Sequence, residues 1–343
     1  MASICFTGIA KRSIANWLPT LNILKQRGHT VQALIFPHTC DADSIGMEEL
    51  PFPVIGSIPI ARSLRELPQF EARALADKAL PLIRKWSPDL LMLTTCHAGP
   101  ELELARYLMS DKGSTTVLGC QHGFVQNWSN YWADFQYDAL MVFGELYVDF
   151  APAELRQRLI AAALPKLDQV RPALPLTAGW RRKRILFAGQ EAPSADIVRM
   201  LHDLRNAARA EVVIRPHPEL RAAFSGLVPP TMLSSPDEPF QTALRRSSML
   251  ITTGSTSALE GLVARVPTVV VPDQRGSEYE RAGIVAKDYS ANEILRIARI
   301  QRGRKWRAHV EDFLRLATGS ALHNRAQLAA DRIEQFLVSK VLS

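Results

Sequence analysis

The chain has no apolar run near the roughly 18–20 residues that a membrane-spanning helix needs. No basic segment precedes the opening Met1-Ala2-Ser3-Ile4-Cys5-Phe6, so this stretch reads as a first strand and not as a signal peptide. The expectation is a cytoplasmic protein. Cysteine is scarce. Cys5, Cys40, Cys96 and Cys120 are widely spaced and form no CxxC pair, which argues against a disulfide framework and against a zinc ribbon. They are expected to pack as small apolar thiols. The Gly-x-Gly-x-x-Gly fingerprint, the P-loop and the Gly-x-Ser-x-Gly elbow are all missing, which removes the commonest dinucleotide, NTPase and serine-hydrolase readings. The histidines show no metal-ligand spacing, and Asp41-Ala42-Asp43 is a weak metal-type pair in a polar stretch. No metal and no cofactor is expected.

Acid is in deficit: 34 Asp and Glu stand against 41 Lys and Arg, a formal charge of +7. The excess gathers at 181–184 and at Arg302, Arg304, Lys305 and Arg307 around Trp306. Such charge suits anionic substrates or an anionic membrane face. No nucleic-acid-binding motif accompanies it, so nucleic acid is not expected as a partner.

What the chain does have is a repeating rhythm. Its 343 residues suit two domains. Strand-like runs at 3–8, 30–36, 54–58, 90–95, 116–120 and 140–143 alternate with helical periodicity at 14–27, 63–86 and 100–110. Gly28 is placed to end the first helix. A helix at 153–163 and the prolines Pro165, Pro172 and Pro175 break the rhythm. It restarts with strands at 183–188, 211–215, 249–252 and 268–271 and helices at 195–208, 240–246 and 258–264. The tail, 292–343, is helical, with breaks near Gly303 and Gly319. Strands separated by helices predict α/β architecture with parallel sheets. The expected organisation is an acceptor domain at 1–164, a linker at 165–180 and a donor domain with a helical tail at 181–343. Both domains read as Rossmann-like, with a cleft between them.

Five motifs follow strand ends, where ligands bind in such sheets. Arg215-Pro216-His217-Pro218 offers a cation and an imidazole to a phosphate, with prolines fixing the backbone. Gly254-Ser255-Thr256-Ser257 runs into a helix carrying Glu260; hydroxyls and first-turn N–H groups make an anion site there. One hydroxyl should be the N-cap, and Ser257 with Glu260 spells a capping box. Gln121-His122-Gly123 places an imidazole that can take a proton near neutral pH. Gly8 with Lys11 and Arg12 is a glycine turn with two cations, suited to an anionic acceptor. Asp273, Glu278 and Tyr279 lie in a polar loop where a sugar or ribose would be touched.

Together, Gln121-His122-Gly123, Arg215-Pro216-His217-Pro218, Gly254-Ser255-Thr256-Ser257 and Leu259-Glu260-Gly261 resemble GT-B glycosyltransferases of bacterial surface polysaccharides. That group includes CDP-glycerol glycerophosphotransferases, capsule β-Kdo transferases and GT-B sialyltransferases. The resemblance implies that His122 is the catalytic base. It implies that His217, Ser255, Thr256 and Ser257 hold the donor phosphate, with Arg215 assisting. The residues themselves add Gly254 and Glu260 to the donor side, and Gly8, Lys11, Arg12, Gln121 and Asp273 as candidate sugar or acceptor contacts. The acidic Asp/Glu-Asp/Glu-Gly motif of the sialyltransferases is missing. The implied function is metal-independent transfer of a sugar from a nucleotide-activated donor, CMP-linked as in CMP-Kdo or a CMP-sialic-type sugar. The acceptor would be a glycan or glycolipid of capsule or lipopolysaccharide synthesis, with peripheral contact to the inner membrane. Two alternatives share the scaffold: a non-hydrolysing UDP-N-acetylglucosamine 2-epimerase, and a non-catalytic polysaccharide-binding protein.

Overall fold

The computed structural model describes residues 1–9, 11–38, 50–61, 66–95, 98–111, 113–123, 135–173, 184–189, 192–217, 220–272, 277–320 and 323–342. The chain divides into two compact units, Met1–Asp168 with Leu316–Ser343, and Gln169–Arg315.

The first unit is built on seven strands: β1 (Ser3–Gly8), β2 (Thr30–Ile35), β3 (Val54–Ser57), β4 (Leu90–Leu93), β5 (Thr116–Cys120), β6 (Ala139–Val142) and β7 (Leu159–Ala161). They lie in the order β3-β2-β1-β4-β5-β6-β7, and every pairing is parallel. Parallel strands covered on both faces read as continuous apolar runs. Leu90–Leu93 and Ala139–Val142 are buried at every position. The expected helix at 153–163 is corrected: only Ala153–Arg156 is helical, and Leu159–Ala161 is the edge strand. Its three apolar residues pair with Leu140, Met141 and Val142, and a ladder formed 19 residues away outweighs local helical periodicity.

Helices α1 (Lys11–Gln26), α2 (Gln69–Trp86) and α3 (Gly99–Asp111) connect the strands. The spacing 63–86 overreached at its start, because Pro68 stands at the N-cap of α2 and residues 62–65 lie outside the described residues. Gly28 has φ 93° just past α1, the left-handed turn expected of it.

The second unit carries β8 (Arg184–Gly189), β9 (Glu211–Pro216), β10 (Met249–Thr252) and β11 (Thr268–Val270), in the order β11-β10-β8-β9 and again all parallel. Its core packs Ile185, Phe187, Ile214, Met249, Ile251 and Val269 against α4 (Ala195–Ala208) and, beyond α5 (Thr256–Val263), α6 (Ala291–Ile300). Ser194 and Ser290 cap α4 and α6 by accepting from Ile197 N and Glu293 N.

The tail forms α7 (Arg304–Thr318) and α8 (Arg325–Leu342). The break at Gly319 has φ 74°, and a Cβ there would strike the Ala162 carbonyl, so only glycine fits. Beyond it α8 packs on α1: Thr20 donates to the Ala326 carbonyl at 3.3 Å, and Arg27 pairs with Asp331 at 2.5 Å and with Glu334. The expected Rossmann-like α/β fold is present in both units.

Candidate functional site

In each sheet the chain leaves a central strand in both directions, and the carboxyl ends of the two strands at that point open a crevice where ligands bind in doubly wound folds. In the second unit these strands are β8 and β10. Two motifs far apart in sequence lie on either side of it. On one side, β8 and β9 end in register, Gly189 opposite Pro216, and His217 N donates to the Gly189 carbonyl at 2.7 Å. On the other, Thr252 of β10 pairs with Ala188, and its hydroxyl donates to the Ala188 carbonyl at 3.0 Å. His217 and the turn 253–257 therefore flank the end of β8.

The hydroxyl run is divided by the fold. Ser255 is the N-cap of α5, with its Oγ accepting from Ser257 N at 3.1 Å. Ser257 is buried, and its hydroxyl shares a 3.0 Å hydrogen bond with Thr252. Thr256 is the one of the three whose side chain is only partly covered. Gly254 has φ 29°, which the tight turn from strand to helix requires. The expected capping box is corrected: Ser257 lies inside the helix, and Glu260 instead receives Gln241 Nε2 at 2.5 Å.

Arg215 is half-buried, and its guanidinium donates to the Glu238 carbonyl. Burial lowers its pKa, the Glu238 carboxylate opposes this, and Arg221 adds to the lowering. Glu238 also pairs with Arg184 at 3.2 Å and Arg246 at 3.1 Å. The stretch 238–241 thus holds both Arg215 and Glu260, a support that no motif announced. Pro218 and Asp273 lie outside the described residues. Glu278 and Tyr279 are buried, so neither faces solvent as a polar loop would.

In the first unit the corresponding point lies between β1 and β4, with β5 beside it. Gln121 is buried and staples the turn: its Nε2 donates to the Gly123 carbonyl at 2.9 Å, and its Oε1 accepts from Phe143 N at 2.9 Å. The next residue, His122, is partly exposed, and its carbonyl accepts from Asn16 Nδ2 at 2.7 Å. Gly8 makes room for Ile14, whose side chain occupies the space of a Cβ. Lys11 is partly exposed in the first turn of α1; the Arg12 side chain lies outside the described residues.

Sequence reasoning missed Asn16 and Glu101. Asn16 is buried on the face of α1 that packs inward, and its Oδ1 has no hydrogen-bond partner among the described residues. A polar residue at an apolar phase of a helix was the available signal. Glu101 has no exposed surface, and its Oε2 accepts from Thr95 N at 2.6 Å. Burial pushes its carboxyl up to about 7, against lowering by Thr95 N–H and the Thr7 hydroxyl. In sequence, an acid in the first turn of a helix signals only a favourable dipole interaction.

Among the described residues no group of three His, Cys, Asp or Glu is placed to hold a metal ion. Among them, too, no helix is long and apolar enough to cross a membrane. Arg302, Arg304, Lys305 and Arg307 are exposed around a half-buried Trp306, while Val310, Phe313, Leu314 and Ala317 are buried in the protein. Cys5 and Cys120 are buried, and burial raises the Cys5 pKa; Cys40 and Cys96 lie outside the described residues.

No family model and no curated protein matches the sequence. Solved structures do match the fold. The glycotransferase of kitacinnamycin is 12% identical, with a TM-score of 0.64 over 98% of this chain and 99% of its own. The UDP-GlcNAc 2-epimerase of Methanocaldococcus jannaschii, solved with UDP-GlcNAc and UDP, is 12% identical, with a TM-score of 0.66 over 98% and 99%. MurG of Acinetobacter baumannii is 14% identical, with a TM-score of 0.58 over 97% and 99%. Over nearly its whole length the chain has the α/β fold of GT-B glycosyltransferases and UDP-GlcNAc 2-epimerases.

Proposed function

We propose that the protein is a glycosyltransferase that moves a sugar from a nucleotide-activated donor to an acceptor hydroxyl. One observation carries this reading: His217 and the turn with Ser255 and Thr256 flank the end of β8. The donor phosphate is held by His217, by the Thr256 hydroxyl, by first-turn N–H groups of α5 and by its dipole. Arg215 adds positive charge nearby. In the first unit the acceptor hydroxyl gives its proton to the His122 imidazole. Its oxygen then bonds to the anomeric carbon, and the bond from that carbon to the phosphate oxygen breaks. The electron pair leaves with the nucleotide, and the phosphate donors stabilise that charge without a metal ion.

The motifs of the polysaccharide transferases favour a CMP-linked donor and a glycan or glycolipid acceptor. The M. jannaschii epimerase, solved with UDP-GlcNAc and UDP, favours a UDP-linked one. A thermal-shift panel with CMP, CDP, UDP and GDP and their sugar conjugates, on wild type and His217→Ala, decides. The expected result is stabilisation by one nucleotide class that is lost in the variant. Stabilisation by none refutes the transferase.

A second reading, a UDP-GlcNAc 2-epimerase, is favoured by the M. jannaschii likeness. Such an enzyme needs no acceptor. Incubation of the protein with UDP-GlcNAc alone, followed by proton NMR, separates the two: conversion at carbon 2 of the sugar supports the epimerase, and an unchanged sugar excludes it.

A further inference from the structure

The segment after β11 reaches the donor turn through a tyrosine hydroxyl. The short helix Ser277–Glu280 carries Tyr279, which has no exposed surface and packs its ring against Phe313 of α7, centroids 6.2 Å apart. A buried phenol needs a partner for its hydroxyl. Here the partner is the carbonyl of Ser255, the N-cap residue of α5, at 2.5 Å. The same carbonyl also accepts from Ala258 N at 2.9 Å.

The Ser255 carbonyl and the Thr256 N–H belong to one peptide plane. In a trans peptide they point in opposite directions, and the chain has no cis peptide among the described residues. Holding the carbonyl inward therefore aims the Thr256 N–H outward. That N–H belongs to the first turn of α5, whose donors have no acceptor within their own helix.

We propose that Tyr279 is a positioning residue for the phosphate-binding turn: its hydroxyl fixes the Ser255 carbonyl and thereby aims the Thr256 N–H at a nucleotide phosphate. This rests on the donor site proposed above. Tyr279 touches no ligand; it acts through the backbone of the cap. The sequence alone offered it as a sugar contact, a role that its burial rules out.

The test is isothermal titration of the purified full chain with the nucleotide that stabilises it, UDP or CMP, and with the matching nucleoside. Tyr279→Phe removes one oxygen and keeps the ring. Loss of one hydrogen bond of ordinary strength weakens nucleotide binding about fivefold, while nucleoside binding is unchanged. Phe313→Leu loosens the ring packing and keeps the hydroxyl; its nucleotide-to-nucleoside affinity ratio stays at the wild-type value. An unchanged ratio in Tyr279→Phe overturns the proposal, as does an equal loss in Phe313→Leu. A Tyr279→Phe chain that does not fold, judged by circular dichroism, also overturns it, because the hydroxyl then holds the whole unit. If wild type binds no nucleotide, the donor site itself falls, and this inference falls with it.

Discussion

Arg325 and Asp168 lie 157 residues apart in sequence and against each other in the fold, Nη1 to Oδ1 at 3.4 Å. Arg325 has no exposed surface, and Asp168 spends its second oxygen on Ala326 N at 2.9 Å. One carboxylate thus caps the last helix and neutralises a buried guanidinium. The Thr318 hydroxyl and the Ser320 carbonyl take up further guanidinium N–H groups, at 3.1 and 2.7 Å. Burial lowers the Arg325 pKa, and Asp168 opposes only part of that lowering.

Removing the acid leaves this charge buried without its partner. Asp168→Ala is expected to destabilise the first unit by about 3 kcal/mol. Arg325→Met, which removes the charge and keeps the volume, is expected to cost less. Thermal unfolding of both variants checks the order; a milder loss in Asp168→Ala than in Arg325→Met would contradict it.

The hydroxyl run predicts a division of labour. Ser257→Ala gives up a buried hydrogen bond to Thr252 and is expected to cost about 1 kcal/mol of stability with nucleotide affinity unchanged. Thr256→Ala is expected to leave the melting temperature within about 1 °C and to weaken nucleotide binding about fivefold. Melting curves with and without nucleotide separate the two, and the reverse pattern would mean that the crevice presents the wrong hydroxyl.

Glu101 gives a pH signature. Its folded carboxyl titrates at about 7 against an ordinary value of 4.5, so between these values the folded state keeps a proton that the unfolded chain has lost. Its contribution is full below pH 4.5 and is lost as pH rises through 7, with a slope of at most about 1.4 kcal/mol per pH unit. Glu101→Gln, uncharged at every pH, is expected to abolish that part of the slope. Urea midpoints at pH 5, 6 and 7 provide the check: parallel curves for wild type and variant would show that Glu101 is not protonated in the folded state.

Asn16 holds the carbonyl of His122. If His122 is the base proposed above, Asn16→Ala, which releases that turn, is expected to lower kcat about tenfold by misplacing it, with donor affinity unchanged. Steady-state kinetics with a nucleotide titration tests it. Equal losses in kcat and donor affinity would assign Asn16 to general stability.

Much of the fold was legible in the sequence. Strands such as 90–93 and 249–252 are short apolar runs bounded by turns, and helices such as 195–208 carry their own capping serine, so local chemistry marked them. Leu159–Ala161 was not legible, because three residues become a strand only through an edge that folding creates. The site motifs were visible for the same local reason: small residues and hydroxyls after an apolar strand have few uses other than a turn into a helix.

The sequence by itself determined that the chain alternates strand and helix, and that imidazoles, hydroxyls and glycines follow the strand ends. Only the tertiary structure decided which of these groups meet. The strand order put β8 between β9 and β10 and so set His217 and the turn at Ser255 on either side of its end. Packing turned Ser257 inward, left Thr256 partly open, and buried Tyr279 and Glu101. Periodicity and turn chemistry act over a few residues, whereas strand order and burial depend on contacts between segments far apart in the chain.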